Sequence, residues 1–440
     1  MKVTFILPSI GKKENGKYIK TWQMEPLSMA QLAGLTPKYI ETQFFDDRLE
    51  DINYDAPCDL VAISVETYTA KRAYQISNKF RKKGVKVILG GFHPTLMPEE
   101  AIQYADSVFI GEAEELWGKV LEDAKENRLK KFYKSENRPS LNGIRPNRDI
   151  FKGKQYLPIS LVESARGCYF SCNFCSISSF YNSSYKCRPI PEVVEEIKTL
   201  KRKDIFLIDD NIGADSDKAK ELFTALAPLN IRWVSQISIN VLKDNELLDL
   251  IAKSGCMGLL IGLESLDNNN LAQMNKGWNK KIIDYEEALQ KLRDNGLATY
   301  ATFLFGYDCD DLDSFNQTLE FAIRHKFFLI AFNHLVPFPG TPLYEAFRKE
   351  GRLLYDKWWL DPNYYFGDIA FRPKNISPKQ LSELCLNFRK KFYSFYSIFK
   401  RALDHRANCK NIFMISTFFS LNILFRKEVM QRAGLPIGKE

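Results

Sequence analysis

Strand-length apolar runs alternate with helix-length amphipathic segments along most of this 440-residue chain, a pattern that folds as parallel sheet flanked by helices. In the first series, residues 3–7, 42–45, 60–64, 85–89 and 107–110 read as strands. Helical spacing at 27–35, 70–84 and 116–124 separates them. The expectation is a doubly wound, Rossmann-like α/β domain over about residues 1–130. Ligands of such sheets bind outside the carboxyl ends of the strands. Ser64 to Thr67, Gly90-Gly91 and Gly111-Glu112 all fall at those ends and form one candidate site.

A polar stretch rich in Asn, Arg and Pro follows, and residues 131–156 are expected to be a linker. The alternation then resumes, with strands at 159–162, 204–208, 232–237, 258–262, 298–305 and 329–335. Six βα units over 157–345 suggest a partial (β/α)6 barrel of the TIM type, with its active site at the carboxyl mouth. Beyond Pro342 the pattern changes to an aromatic loop (Trp358, Trp359, Tyr364, Tyr365, Phe366) and then a basic, Phe- and Leu-rich helical stretch. Residues 346–440 thus read as a smaller, mostly helical module.

Cys168, Cys172 and Cys175 form a C-x3-C-x2-C run just after the first barrel strand, at the mouth where chemistry is expected. Three thiolates on one loop can hold three irons of a cubic iron–sulfur cluster, which normally takes four cysteine ligands. Cys187 comes twelve residues later, too far along the chain to complete the motif. The loop therefore reads as a cluster site with one open iron. Zinc would favour paired C-x2-C units and four ligands. Cys58, Cys187, Cys256, Cys309, Cys385 and Cys409 read as ordinary, with Cys256 and Cys309 in the core.

Composition bounds the partners. Apolar and charged contents of 45% and 26% are those of a globular protein, and a net charge of +8 without an Arg-rich tract argues against nucleic acid. No cleavable leader is visible and the odd number of cysteines forms no disulfide framework, so a reducing cytoplasm is expected. The longest apolar run, 412–425, is shorter than a membrane span and is broken by Ser416, Thr417, Ser420 and Asn422. Flanked by Arg401, Lys410, Arg426 and Lys427, it suits either a core helix or peripheral membrane contact through the C-terminal helices.

The cysteine run, with Phe174 before its last cysteine, resembles the radical S-adenosylmethionine (radical SAM) signature. The chain over about residues 1–345 is similar to the branch that carries an N-terminal cobalamin-binding domain. The supporting motifs are Gly90-Gly-Phe-His-Pro94, Pro98-Glu-Glu100, Ala105-Asp106, Gly111-Glu-Ala-Glu114, Ile208-Asp-Asp210, Gly262-Leu-Glu-Ser265 and Pro337-Phe-Pro-Gly-Thr-Pro-Leu-Tyr344. The tail looks like that of anaerobic cyclase-type and lipid- or tetrapyrrole-acting members.

The resemblance implies that Cys168, Cys172 and Cys175 bind a [4Fe-4S] cluster whose open iron chelates SAM. It places Phe174 by the adenine and Asp209 and Asp210 near the SAM amino group. Gln236, Ser238, Glu264 and Ser265 would contact its ribose or methionine. Ser64, Glu66, Thr67, Gly90, Gly91, Phe92, His93, Pro94, Gly111, Glu112 and Glu114 would surround cobalamin. On the residues alone, Asp209-Asp210 also suits a turn or helix cap, Glu264 needs a buried partner, and His93 suits a structural hydrogen bond. One departure stands out: the loop Asp46-Asp-Arg-Leu-Glu-Asp51 lacks the histidine that ligates cobalt in many cobalamin proteins. Either cobalt has no protein ligand here or the domain has lost cobalamin.

The implied activity is C-methylation of an unactivated carbon, with electrons from a donor such as flavodoxin or ferredoxin. The alternatives are a radical oxidative cyclase or rearrangement enzyme, and a non-catalytic iron–sulfur or cobalamin sensor. The aromatic loop and apolar tail suggest a large apolar small-molecule substrate.

Overall fold

The computed structural model describes residues 1–13, 23–279, 284–428 and 434–439. Strands β1 (Lys2–Leu7), β2 (Glu41–Asp46), β3 (Leu60–Ser64), β4 (Lys86–Gly90), β5 (Ser107–Ile110) and β6 (Phe132–Lys134) build the first sheet, in the order 2-1-3-4-5-6. All pairs are parallel. Central β1 and β3 are almost wholly apolar because helices cover both faces, whereas edge strand β2 mixes polar and apolar residues. The order reverses between β1 and β3, the place where doubly wound sheets open a ligand crevice.

The second sheet contains β7 (Ser160–Val162), β10 (Asp204–Leu207), β11 (Arg232–Ile237), β12 (Cys256–Glu264), β13 (Ala298–Phe305) and β14 (Leu329–His334). They pair in chain order, all parallel, with β7 and β14 as edges, which is the strand plan of the expected partial barrel. Between β7 and β10 lies an antiparallel hairpin of β8 (Ala165–Gly167) and β9 (Tyr185–Cys187) that brackets the cysteine loop. Asp215, Asp244, Asp267 and Asp311 each accept a backbone N–H three residues on, capping the helix that follows a strand. The helix Pro378–Phe392 packs along edge strand β14 and shields the open side of the barrel.

Three expectations need correction. The supposed linker is largely built into the first domain. Residues 132–134 pair with β5, the buried Tyr133 gives its hydroxyl to Asp123 at 2.8 Å, and Phe151 joins the core under β2. The polar composition masked a strand of only three residues. The aromatic loop, read as a substrate surface, is mostly core. Trp358, Trp359 and Tyr364 are fully buried against the first domain, with Trp359 Nε1 donating to Glu100 at 2.9 Å. Phe366 of this group lines a cavity. Among the other thiols Cys256 is in the core as expected, but Cys309 is partly exposed and Cys385 is buried instead.

The helix Ile412–Glu428 divides its two readings. Met414, Phe418 and Asn422 are buried, while Ile412, Phe413, Ile415 and Ile423 are exposed. No helix among the described residues is long and apolar enough to cross a membrane.

Candidate functional site

The cysteine loop runs from the end of β8 to the helix Ser176–Tyr181, over the carboxyl mouth of the second sheet. Its supports come from neighbouring strand ends. Asp209, just past β10, is fully buried and accepts from the Ser164 backbone N at 2.7 Å and from the Ser164 hydroxyl. Asp210 accepts from Gly167 N at 2.7 Å, and Asn211 points its amide at Cys168 Sγ from 3.6 Å. Burial pushes Asp209 up to about 7 and Asp210 up to about 6. Asp209 is therefore committed to fixing the hairpin rather than to SAM, a correction to the sequence expectation. Asp210 still faces open space.

Glu264 ends β12 at a bulge, with φ +65°, a left-handed conformation that a non-glycine residue adopts only under constraint. Its constraint is Lys276, whose Nζ lies 2.9 Å from Glu264 Oε1 and 2.9 Å from the Gly262 carbonyl. That is the partner a buried carboxylate requires. Ser238 donates to Asn211, and Gln236 stands one turn of strand away on β11. The Ser265 hydroxyl accepts from Asp267 N at 3.0 Å, which makes it a turn former rather than a free ligand.

Burial raises the Cys172 thiol to about 12 and also raises Cys168. At neutral pH these thiols stay protonated, and iron would draw off their protons. Among the described residues, no three Cys, His, Asp or Glu side chains converge on one point as ligands of a single ion would. A cubic cluster takes one thiolate at each of three separate corners, so the donor set fits a cluster with one open iron.

A second pocket, of about 350 Å³, lies where the two sheets meet. Ser64, Gly90, Gly91, Phe92, Gly111, Glu112 and Glu114 line it from the first domain, and Glu163, Arg166, Phe180, Tyr181 and Asp210 from the second. Gly111 has φ +90° and nothing within 4 Å of where a side chain would begin. Gly91, at φ +100°, would drive a Cβ to 2.9 Å from the Val65 backbone. Such a cradle fits a bulky cofactor laid on the strand ends.

Thr67, His93 and Pro94, expected in this group, are buried beneath it instead. His93 contacts Thr67 Oγ1 at 3.3 Å and Glu100 Oε1 at 3.0 Å, so both ring nitrogens are engaged. Glu66 lies exposed beyond β3. His93 is the first domain's sole histidine, so no histidine side chain there is free to ligate cobalt. In the loop that lacks one, Asp46 holds Arg48 at 2.7 Å and Asp47 holds Arg72 at 2.8 Å.

Sequence reasoning missed Arg166. Its guanidinium reaches Glu114 at 2.6 Å, Glu163 at 2.8 Å and Glu112 at 3.3 Å, while Arg138 holds Glu112 at 2.7 Å. Glu112 and Glu114 thus fasten the first domain to the cysteine hairpin. Phe92 packs on Phe180 across the same seam, with ring centroids 4.4 Å apart. The surplus of acids at 112 and 114 was the visible signal that a cation must face them.

A third space, about 460 Å³, lies beside the cysteine loop, where Phe174 forms part of its wall. β13, β14 and the helix Pro378–Phe392 provide most of the rest, joined by Tyr68 and Phe338.

A cluster-ready cysteine loop on a parallel barrel, sharing a pocket with a doubly wound domain, defines an iron–sulfur enzyme with a second large cofactor. Comparison with known proteins specifies it. Residues 162–322 match the radical SAM superfamily and residues 26–121 match the B12 binding domain. The bacteriochlorophyllide d C-12(1)-methyltransferase of Chlorobaculum tepidum is 31% identical over 389 residues, covering 86% of this chain and 84% of that protein. The bacteriochlorophyllide d C-8(2)-methyltransferase of the same organism is 31% identical over 354 residues, covering 76% and 78%. Among solved structures, TsrM from Kitasatospora setae with cobalamin and a [4Fe-4S] cluster shares the fold. It aligns at TM-score 0.62 and 15% identity over 79% of this chain and 75% of that one. The chain belongs to the radical SAM superfamily, in its cobalamin-binding methyltransferase branch.

Proposed function

We propose that the protein transfers a methyl group from methylcobalamin to an unactivated carbon of a large, flat tetrapyrrole-type substrate. The observation that carries this reading is the shared seam. Arg166, Tyr181 and Asp210 line the glycine-lined pocket for cobalamin, and the same three residues flank or brace the cysteine loop: Arg166 on β8 before it, Tyr181 on the helix after it, and Asp210 bonded to Gly167 N. When bound, the cluster and SAM supply one-electron chemistry and cobalamin supplies a transferable methyl group.

The chain's own residues do the rest. Cys168, Cys172 and Cys175 would hold the cluster, with Asn211 aimed at the first thiol. Gly111 leaves the cradle open, Gly91 lets its floor lie close against the Val65 backbone, and Arg166 fixes its distance from the cysteine loop. Phe174 separates that loop from the apolar cavity, in which the substrate would lie. The helix Pro378–Phe392 keeps water from the reacting carbon. The macrocycles in the names of the two Chlorobaculum relatives and the aromatic cavity walls support the substrate class. Reduction by a flavodoxin or ferredoxin and a cytoplasmic location fit nine free thiols, three of them cluster ligands.

Anaerobic turnover of a chlorin acid with deuterated-methyl SAM tests the proposal. Expected is a product carrying one labelled methyl group. An unchanged product mass with accumulating 5′-deoxyadenosine would instead identify a cyclase or rearrangement enzyme. Absence of SAM cleavage by the reduced, reconstituted protein would leave a sensor.

A further inference from the structure

The apolar cavity beside the cysteine loop holds two polar groups that the protein leaves partly unused. His334 closes β14, and its Nδ1 lies 3.1 Å from the Leu335 carbonyl. Nδ1–H donates to that oxygen, which leaves the lone pair on Nε2. Nε2 has no hydrogen-bond partner among the described residues, and the ring lines the cavity. Burial lowers the imidazole to about 4, so it is neutral at physiological pH.

Arg389, from the covering helix, donates Nε to the Phe332 carbonyl at 2.9 Å and Nη2 to Asn333 Oδ1 at 2.7 Å. Among the described residues no carboxylate pairs with it. A cation half-buried beside an apolar space and lacking a counter-charge favours an acidic visitor. The remaining walls are largely apolar, with aromatic rings from Tyr68, Tyr300, Phe338 and Phe425 among them.

We infer that this cavity binds a metallated macrocycle that carries a carboxylate, with His334 Nε2 ligating the central metal ion and Arg389 pairing with the acid. The inference rests on the tetrapyrrole reading above and adds to it the metal and the recognition groups. A divalent ion held in a plane by four ring nitrogens keeps an open axial position. A neutral imidazole fills it without bringing charge into an apolar space, which a carboxylate ligand would do. Aromatic walls then stack on the ring faces and edges.

The test is anaerobic titration of the holoenzyme with chlorophyllide a and with its metal-free counterpart, pheophorbide a, followed by absorbance. The wild type should bind the magnesium form on the order of tenfold more tightly. His334→Asn retains a donor near the Leu335 carbonyl but has no axial nitrogen. It should abolish that preference while leaving pheophorbide affinity unchanged. Arg389→Met should weaken both acids and leave the affinity for their methyl esters unaltered.

Equal affinity of the wild type for the two forms would overturn the inference while leaving methyl transfer to either one intact. A metal preference that survives in His334→Asn would also overturn it. So would a changed cob(II)alamin spectrum in that variant, because the imidazole would then belong to cobalt. If neither chlorin binds, the substrate class falls and this inference falls with it.

Discussion

Arg166, two residues before Cys168, holds Glu114 of the first domain at 2.6 Å, so a single side chain ties the cobalamin cradle to the cluster loop. Both groups are nearly buried. Removing the cation leaves Glu112, Glu114 and Glu163 facing one another, a loss of about 3–5 kcal/mol for breaking a buried pair. Arg166→Met should therefore lower the melting temperature and release cobalamin, read as its absorbance after anaerobic gel filtration. Arg166→Met with Glu114→Gln should recover part of the stability, because a buried charge disappears along with its partner. If the double variant is no more stable than the single one, the clamp is not what holds the seam.

The cysteines separate by role. Cys168→Ala, Cys172→Ala and Cys175→Ala should each lose the iron–sulfur absorbance and SAM cleavage after reconstitution. Cys187→Ala should keep both, although Cys187 lies on β9 and pairs with Ala165 of the same hairpin. Iron content and 5′-deoxyadenosine yield measure the outcome. Retained cleavage in any of the first three, or its loss in the fourth, would redraw the ligand set.

Much of this architecture is legible in the chain because its physics is local. A strand buried on both faces must be a nearly continuous apolar run, and β3 and β12 announce themselves that way. Three cluster ligands on one loop are a matter of spacing. Pairings across the fold are not local. Glu264 declares that it needs a cation, yet nothing nearby in sequence marks Lys276 as that cation, and Arg166 finds Glu114 across fifty-two residues. Trp359 reaches Glu100 across 259 residues, so the aromatic loop looked like a binding surface when it is the packing of one domain on another. Periodicity says which face is buried. It does not say against what.

Glu100 makes acid sensitivity measurable. Burial alone would raise its carboxyl, but bonds from His93, Trp359 and Lys357 outweigh that and hold it at about 2. A folded value below the ordinary 4.5 means that its stabilisation is complete above about pH 4.5 and is lost as the pH falls toward 2. The contribution is about 3 kcal/mol. Glu100→Gln, which still accepts from Trp359, should be less stable at pH 7. It should also show a flatter fall in stability between pH 5 and about 3. Urea unfolding at several pH values decides it, and an unchanged acid limb would show that other carboxylates dominate.

An exposed apolar patch on the C-terminal helices gives the enzyme a surface on which to meet an apolar substrate. Phe395, Tyr396, Phe399 and Leu403 on and just past the helix Phe395–Ala402 are between 56% and 73% exposed, and Ile412 is 86% exposed. Cations edge the patch. Arg426 lies 4.5 Å from the Phe395 ring, Lys400 lies 5.8 Å from that of Tyr396, and Lys391 and Lys410 are exposed nearby. Apolar side chains among cations suit an anionic lipid surface, where each cation contributes about 1 kcal/mol at low salt. The protein should co-sediment with vesicles containing phosphatidylglycerol more than with phosphatidylcholine alone, and binding should weaken as salt rises. Phe399→Glu with Leu403→Glu should remove binding while SAM cleavage in solution is unchanged. If that variant still sediments, or if wild-type binding ignores lipid charge, the patch serves another surface.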